Sequence, residues 1–209
     1  MTTMTLYGSA LSPYVRAVRA TFVEIGLDYK FVPIGPKELQ APDYAARHPY
    51  RKLPSLDIDG EPLYETSAIM RYIDEAHEGK VQLQPTDLLA RARSEQWLSV
   101  ANSYLYPDIF TGLFFQRAIA PKFGMPVDEA LIAASLEKTR SHLDIVSAAL
   151  SSGGLASKDD LTLGDILVGA ILVPLQGIDE GRNLLKAVPN VAGWVGNLAK
   201  RPSFAVTVT

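Results

Sequence analysis

Lys52-Leu53-Pro54-Ser55-Leu56-Asp57-Ile58-Asp59-Gly60-Glu61-Pro62-Leu63-Tyr64-Glu65-Thr66-Ser67-Ala68-Ile69 is the stretch whose reading decides the fold. Two short β-prone runs, Leu56-Asp57-Ile58 and Pro62-Leu63-Tyr64, flank Asp59-Gly60, a dipeptide suited to the turn of a hairpin. Directly behind the second run, Thr66 opens a segment that carries Ile69, Tyr72 and Ile73 on one side, so a strand feeds straight into a helix. Towards the N-terminus, Met4-Thr5-Leu6-Tyr7 is a further β-prone run ending in Gly8. After Ser12-Pro13 the apolar positions Val15, Val18, Phe22 and Ile25 recur at helical spacing until Gly26, and Tyr29 to Ile34 alternates as a strand. Pro42 to Arg47 is expected as a short helix. The front of the chain is thus a small βαβ–ββα unit, expected over residues 1–78.

Past a linker at about His77 to Asp87, which holds Gly79 and Pro85, strand signals stop. Ala90 to Ala120 reads as one long helical stretch with Pro107 as its point of interruption. Val127 to Leu150 is a second, closed by Ser151-Ser152-Gly153-Gly154. Leu161-Thr162-Leu163-Gly164-Asp165-Ile166 is a helix start: Thr162 caps, Asp165 reaches back, and Leu161 packs on Ile166. Helical pattern runs on to Leu175, resumes near Glu180, and returns from Val191 to Lys200 before Pro202. The expectation is an α/β domain followed by an all-α helical domain over 88–209.

Composition narrows the chemistry. With 209 residues, 47% of them hydrophobic, the chain has ample material for a buried core. A formal net charge of −3 gives no footprint for nucleic acid. The three histidines, His48, His77 and His142, lack metal-ligand spacing, so no metal is expected. There is no cysteine, which removes disulfides and any cysteine nucleophile of the protein's own. Sulfur chemistry would need sulfur brought by a ligand. Met1 to Tyr7 lacks the charged start and apolar stretch of a signal peptide, and no apolar run approaches the ~20 residues of a membrane span. A cytoplasmic protein without membrane partners is the expectation.

Three local features carry chemistry. Ser12 stands between a strand and a helix with Pro13 behind it, the place of an N-cap and also of an exposed hydroxyl at a positive helix end. Lys52-Leu53-Pro54-Ser55 places a proline at a strand entry, which alone marks an edge or a turn. At Tyr64-Glu65-Thr66 a helix begins where a strand stops: free backbone N–H groups suit a carboxylate, and Glu65 beside them suits an ammonium group. Carboxylate and ammonium on one ligand describe an α-amino acid terminus. Thr162-Leu163-Gly164-Asp165 reads as structural.

These pieces, in this order, resemble the glutathione transferases over essentially the whole chain. The matching stretches are Leu6-Tyr7-Gly8 with Ser12-Pro13-Tyr14-Val15-Arg16, His48-Pro49-Tyr50-Arg51-Lys52-Leu53-Pro54-Ser55-Leu56, Tyr64-Glu65-Thr66-Ser67-Ala68-Ile69, and Leu161-Thr162-Leu163-Gly164-Asp165-Ile166. The resemblance, to a serine-type, bacterial phi/theta-like member, implies a thioredoxin-like N-terminal domain that binds glutathione as co-substrate. It implies a helical domain that builds the pocket of an apolar electrophile, and a homodimer. Ser12 matches the serine that contacts the glutathione sulfur. Leu53, before an expected cis Pro54, would pair its backbone with the cysteinyl part, Lys52 would approach the glycyl carboxylate, and Glu65 and Thr66 would hold the γ-glutamyl end. Tyr50 stands where relatives insert a side chain into the partner subunit. Aromatic candidates for the electrophile pocket are Tyr14, Tyr106, Phe110 and Phe114, with Tyr104 and Phe115 further along the same stretch. Tyr7 is a rival to Ser12, since other classes use a tyrosine at the end of the first strand, but its place inside a strand argues for packing. Ser67 stands where an arginine is common and Arg51 where a glycine is. Other readings remain open: a non-catalytic glutathione-binding or structural protein, or a specialised glutathione-dependent dehalogenase, lyase or isomerase.

Overall fold

The computed structural model describes residues 2–76, 81–156 and 160–207. The middle of the expected linker, with His77 and Gly79, lies outside them. The described chain forms two compact units: Met1–Gln84 with Pro202–Thr209, and Pro85–Arg201.

In the first unit, β1 (Met4–Gly8), β2 (Lys30–Pro33), β3 (Ser55–Ile58) and β4 (Glu61–Tyr64) make one sheet in the order β2-β1-β3-β4. β1 runs parallel to β2 and antiparallel to β3, and β3 antiparallel to β4. Along β1 the buried positions Met4, Leu6 and Gly8 alternate with half-exposed Thr5 and Tyr7, the two-residue period of a sheet with one face in the core. Leu6 sits opposite Leu56, and both are completely buried. Pro62 is tolerated because β4 is the edge strand. The hairpin turn works as its sequence suggests: Asp59 and Gly60 take φ of 52° and 95°, and the Asp57 carboxylate accepts from the Gly60 N–H at 2.9 Å.

α1 (Pro13–Ile25) covers the sheet with Val15, Val18, Phe22 and Ile25, the helical repeat read from the sequence, and stops at Gly26 in the left-handed region. Gly8 is required where β1 meets α1: a Cβ there would lie 2.6 Å from a Val15 methyl. Arg19 binds the unit together, stacking on Phe31 at 4.5 Å and donating to the Tyr29 hydroxyl at 3.1 Å and the Val206 carbonyl at 2.9 Å. That last bond, with Phe204 and Thr207 buried, accounts for a difference from the expected boundary: residues from Pro202 group with the sheet, although 88–209 was the expected helical domain. α2 (Pro36–Gln40) and α3 (Tyr44–Arg47) lead to the hairpin, and α4 (Thr66–Glu75) follows it.

The second unit is helical: α5 (Leu88–Val100), a π-wound segment (Ala101–Ile119), a 3₁₀ turn (Ala120–Phe123), α6 (Glu129–Ser152), α7 (Leu163–Leu172), a 3₁₀ turn (Val173–Gly177), α8 (Asp179–Ala187) and α9 (Pro189–Lys200). α10 (Pro202–Ala205) closes the first unit. Pro107 was the expected interruption, yet the chain passes through it in the wider π winding. All ten residues of α7 are buried, which makes it the core of this unit. Its start is the capping box that the sequence announces: Thr162 accepts from the Asp165 N–H, and the Asp165 carboxylate accepts from the Thr162 N–H at 2.7 Å.

Candidate functional site

Sheet register brings the three chemical stretches to one end of the first unit. Tyr7 is opposite Ser55 and Ser55 is opposite Tyr64, so β1 ends, β3 begins and β4 ends at the same level. Ser12 follows β1 by four residues, Leu53-Pro54 precedes β3 directly, and Glu65-Thr66 follows β4 directly. Forty residues separate Ser12 from Lys52 in the chain; the antiparallel pairing removes that separation.

Ser12 is the N-cap of α1, half exposed, with an extended backbone (φ −83°, ψ 125°) and Pro13 in the first helical turn. Its Oγ accepts from the Val15 N–H at 3.4 Å, a long bond. A hydroxyl has two lone pairs and one hydrogen, so capping occupies a lone pair and leaves the O–H free to donate. Cap and thiol donor are therefore compatible roles for one oxygen. Tyr14 behind it is half exposed. Tyr7, the rival, lies under the Arg47 guanidinium, 4.1 Å above its ring, and that guanidinium also meets Asp57 at 3.3 Å. Its ring packs, as a residue inside a strand should.

Leu53–Pro54 is a cis peptide bond. The ladder of β3 starts only at Ser55, and among the described residues no backbone hydrogen bond outside helices and strands involves Leu53. Its N–H and C=O are thus left for another peptide. The loop before it is held from below: the Tyr44 hydroxyl donates to the Lys52 carbonyl at 3.0 Å, and burial pushes that phenol up to about 12. The Ser55 hydroxyl donates to the Arg47 carbonyl at 3.2 Å. Arg51 takes φ 49°, the left-handed region, which explains why a glycine suits this place. The Lys52 side chain is exposed.

Glu65 caps α4 with φ 74° and ψ 113°, outside the ordinary regions for a residue with a Cβ. Such strain persists where surroundings enforce it, and it gathers at binding sites. The Glu65 side chain makes no hydrogen bond to the helix it precedes, and the first turn holds no acidic residue, so the positive end of the α4 dipole favours an anion there. Thr66 is buried and Glu65 exposed, side by side.

The aromatic candidates of the second unit form a ladder. Tyr106 stacks on Phe110 with centroids 5.2 Å apart, and Phe110 on Phe114 at 5.8 Å. Burial raises the Tyr106 phenol above its usual value. Phe110 is buried, Phe114 and Phe115 are half exposed, and Tyr104 is exposed. No group of acidic, histidine or cysteine side chains among the described residues could hold a metal ion.

Residues 6–81 match the family model of the glutathione S-transferase N-terminal domain. Glutathione S-transferase 3 of Zea mays is 33% identical over 215 residues, spanning 100% of this chain and 94% of that protein. The chain belongs to the glutathione S-transferase family. The structure agrees along its length: glutathione transferase F7 from Populus trichocarpa superposes with a TM-score of 0.86 at 26% identity, covering 99% of this chain and all of that one. A glutathione S-transferase I with lactoylglutathione bound gives the same score, also at 26% identity, with 99% and 98% covered. The expected thioredoxin-like sheet domain followed by helices is the fold of this transferase. The maize and poplar relatives are plant proteins and lend nothing to a bacterial, phi/theta-like placement.

One residue near these stretches escaped the sequence reading. His48 was counted as one of three scattered histidines, yet it is only 3% exposed, and its Nδ1 has no hydrogen-bond partner. Its ring lies 4.9 Å from that of Tyr64, the residue before Glu65. The available signal was its place in the stretch His48-Pro49-Tyr50-Arg51-Lys52-Leu53-Pro54, which the fold brings to the site as a block.

Proposed function

We infer that the chain performs the transferase chemistry of its family as a serine-type enzyme, with Ser12 donating a hydrogen bond to the sulfur of glutathione. The carrying observation is the shared level of Tyr7, Ser55 and Tyr64, from which Ser12, Leu53 and Glu65 all depart. A tripeptide has a backbone to pair with Leu53, an amino acid terminus for Glu65, Thr66 and the start of α4, and a glycyl carboxylate within the reach of Lys52. A donated hydrogen bond and the positive end of α1 both favour thiolate over thiol, and the thiolate is the nucleophile. No general base is needed.

The apolar electrophile is assigned to Tyr14, Tyr106, Phe110 and Phe114, an aromatic set whose π faces suit flat apolar substrates. Residues 1–78 are assigned to glutathione and the helical domain, read from the sequence as 88–209, to the pocket of the electrophile. Tyr50, 71% exposed, is assigned to the interface of a homodimer, since a large aromatic so bare invites a partner. The protein is placed in the cytoplasm, without nucleic-acid or membrane partners; no helix among the described residues is long and apolar enough to cross a membrane.

Purified protein applied to immobilised glutathione, then assayed with glutathione and a chloro-nitroarene, tests this. Retention together with conjugate formation is expected. Absence of retention overturns the site; retention without turnover of the chloro-nitroarene or of a haloalkane replaces the enzyme by a glutathione-binding protein.

A further inference from the structure

One hydroxyl beside the loop of the glutathione site has no part in the transferase chemistry. Tyr44 opens α3, is only 4% exposed, and donates from its hydroxyl to the Lys52 carbonyl at 3.0 Å. That carbonyl belongs to the same peptide unit as the Leu53 N–H. Leu53–Pro54 is cis, while the Lys52–Leu53 unit before it is trans, so its C=O and N–H point in opposite directions. With the carbonyl held on Tyr44, the N–H is aimed away from that hydroxyl, and it takes no part in the backbone hydrogen bonds outside helices and strands.

A peptide unit in a loop can turn over and exchange its two polar groups. Here the chain on either side does not prevent it: the ladder of β3 begins only at Ser55, and Arg51 just ahead already lies in the left-handed region at φ 49°. α3, by contrast, is tied to the sheet. The Ser55 hydroxyl donates to the Arg47 carbonyl at 3.2 Å, and the Arg47 guanidinium meets Asp57 at 3.3 Å and lies 4.1 Å above the Tyr7 ring. Tyr44 therefore carries the position of β1 and β3 into the loop. Donation to a carbonyl also polarises its peptide unit, which makes the N–H of that unit a stronger donor. Burial pushes the phenol up to about 12, so the donated proton stays on oxygen throughout the range in which a thiol titrates.

We propose that Tyr44 is a positioning residue of the glutathione site, whose hydroxyl fixes the Lys52–Leu53 peptide so that the Leu53 N–H meets the cysteinyl carbonyl of the tripeptide. The proposal rests on the glutathione site described above. It gives Tyr44 a share in holding the tripeptide backbone and none in activating the sulfur, which belongs to Ser12 and the start of α1.

Calorimetric titration of wild type and Tyr44→Phe with glutathione, and with an analogue whose cysteinyl–glycyl amide is replaced by a trans alkene, tests it. Phenylalanine keeps the buried ring and removes the hydroxyl, and circular dichroism checks that the variant is folded. The alkene removes the carbonyl that the Leu53 N–H would meet. The expected result is that Tyr44→Phe weakens glutathione about fivefold, the size of one neutral hydrogen bond, while the analogue binds both proteins alike within about twofold. In steady-state assays the variant raises KM for glutathione by a similar factor and leaves kcat and the titration of the bound thiol where they were. Unchanged glutathione affinity, equal weakening of both peptides, or a fall in kcat at unchanged KM overturns the proposal while the site stands. An analogue that wild type binds as tightly as glutathione removes Leu53 from the site, and the proposal with it. Wild type that binds neither peptide overturns the site itself.

Discussion

Replacing Ser12 by alanine separates two roles that the structure lays on one oxygen. As a cap, Oγ contributes little: its bond to the Val15 N–H is long at 3.4 Å, and the backbone bonds of the turn do not depend on it. The Ser12 N–H still donates to Ser9 at 3.0 Å, and the Ser12 carbonyl still accepts from Arg16 at 3.0 Å. Loss of stability should therefore lie at the low end for an N-cap, about 0.5 kcal/mol. As a donor to sulfur the same hydroxyl matters more. A free thiol with a pKa near 8.5 is only ~3% thiolate at pH 7. A hydrogen bond to the charged sulfur of ~2 kcal/mol, with ~0.7 from the start of α1, brings the pKa to ~6.5 and the thiolate to ~75%. Alanine leaves the helix contribution alone, returning the pKa to ~8 and the thiolate to ~9%, so turnover at pH 7 should fall about eightfold or more. Affinity for glutathione should hold within about threefold, since Leu53, Lys52, Glu65 and Thr66 remain. Thiolate absorbance of bound glutathione followed against pH, chloro-nitroarene turnover, a denaturant midpoint and a calorimetric glutathione titration measure these four quantities. An unchanged thiol pKa with unchanged turnover refutes the donor role, and a stability loss above ~2 kcal/mol with an unchanged pKa would make Ser12 a cap alone.

Three further outcomes follow from the packing. Gly164→Ala places a Cβ 2.7 Å from the Ser94 carbonyl oxygen and 2.9 Å from the Trp97 Cβ, where α7 meets α5; a denaturant midpoint should show a loss of about 1–3 kcal/mol, and no loss would mean that these helices part freely. Asp74→Ala strips the acceptor from two buried N–H groups, those of Leu83 at 2.7 Å and Gln84 at 3.0 Å, and should cost about 3 kcal/mol by the same measurement, with Asp74→Asn losing less. His48 titrates below its unfolded value because burial disfavours the charged ring, so the unfolded chain binds the extra proton first. Its contribution to stability is full above pH ~6.5 and is lost as pH falls through the folded-state value. Wild type should therefore lose stability from pH 7 to 5 more steeply than His48→Asn, and parallel slopes would remove His48 from the account.

The parts of this transferase that local chemistry controls were open to reading, and the parts that depend on juxtaposition were not. Asp59-Gly60 announces a hairpin because both residues tolerate positive φ, and the structure gives them that φ. Thr162 and Asp165 announce a helix start because their side chains and backbones satisfy each other within four residues. Pro107 misled for the converse reason: its effect on an α-helix is local and known, but the neighbouring chain adopts a wider winding that the proline survives. The C-terminus misled because nothing in Pro202-Ser203-Phe204 names Arg19, whose hydrogen bond to Val206 spans most of the chain. The site lies between these cases. Ser12, Leu53-Pro54 and Glu65-Thr66 each read alone as a cap, a turn and a cap, and only the antiparallel register of three strands brings them to one end of the sheet. His48 is the extreme instance. Its periodicity is void and its neighbours in sequence are a proline and an arginine, so its burial is explained only by Tyr64, whose ring meets it across the fold. A histidine of this kind becomes visible only once burial and an unpaired nitrogen are known together, because either alone describes many ordinary side chains.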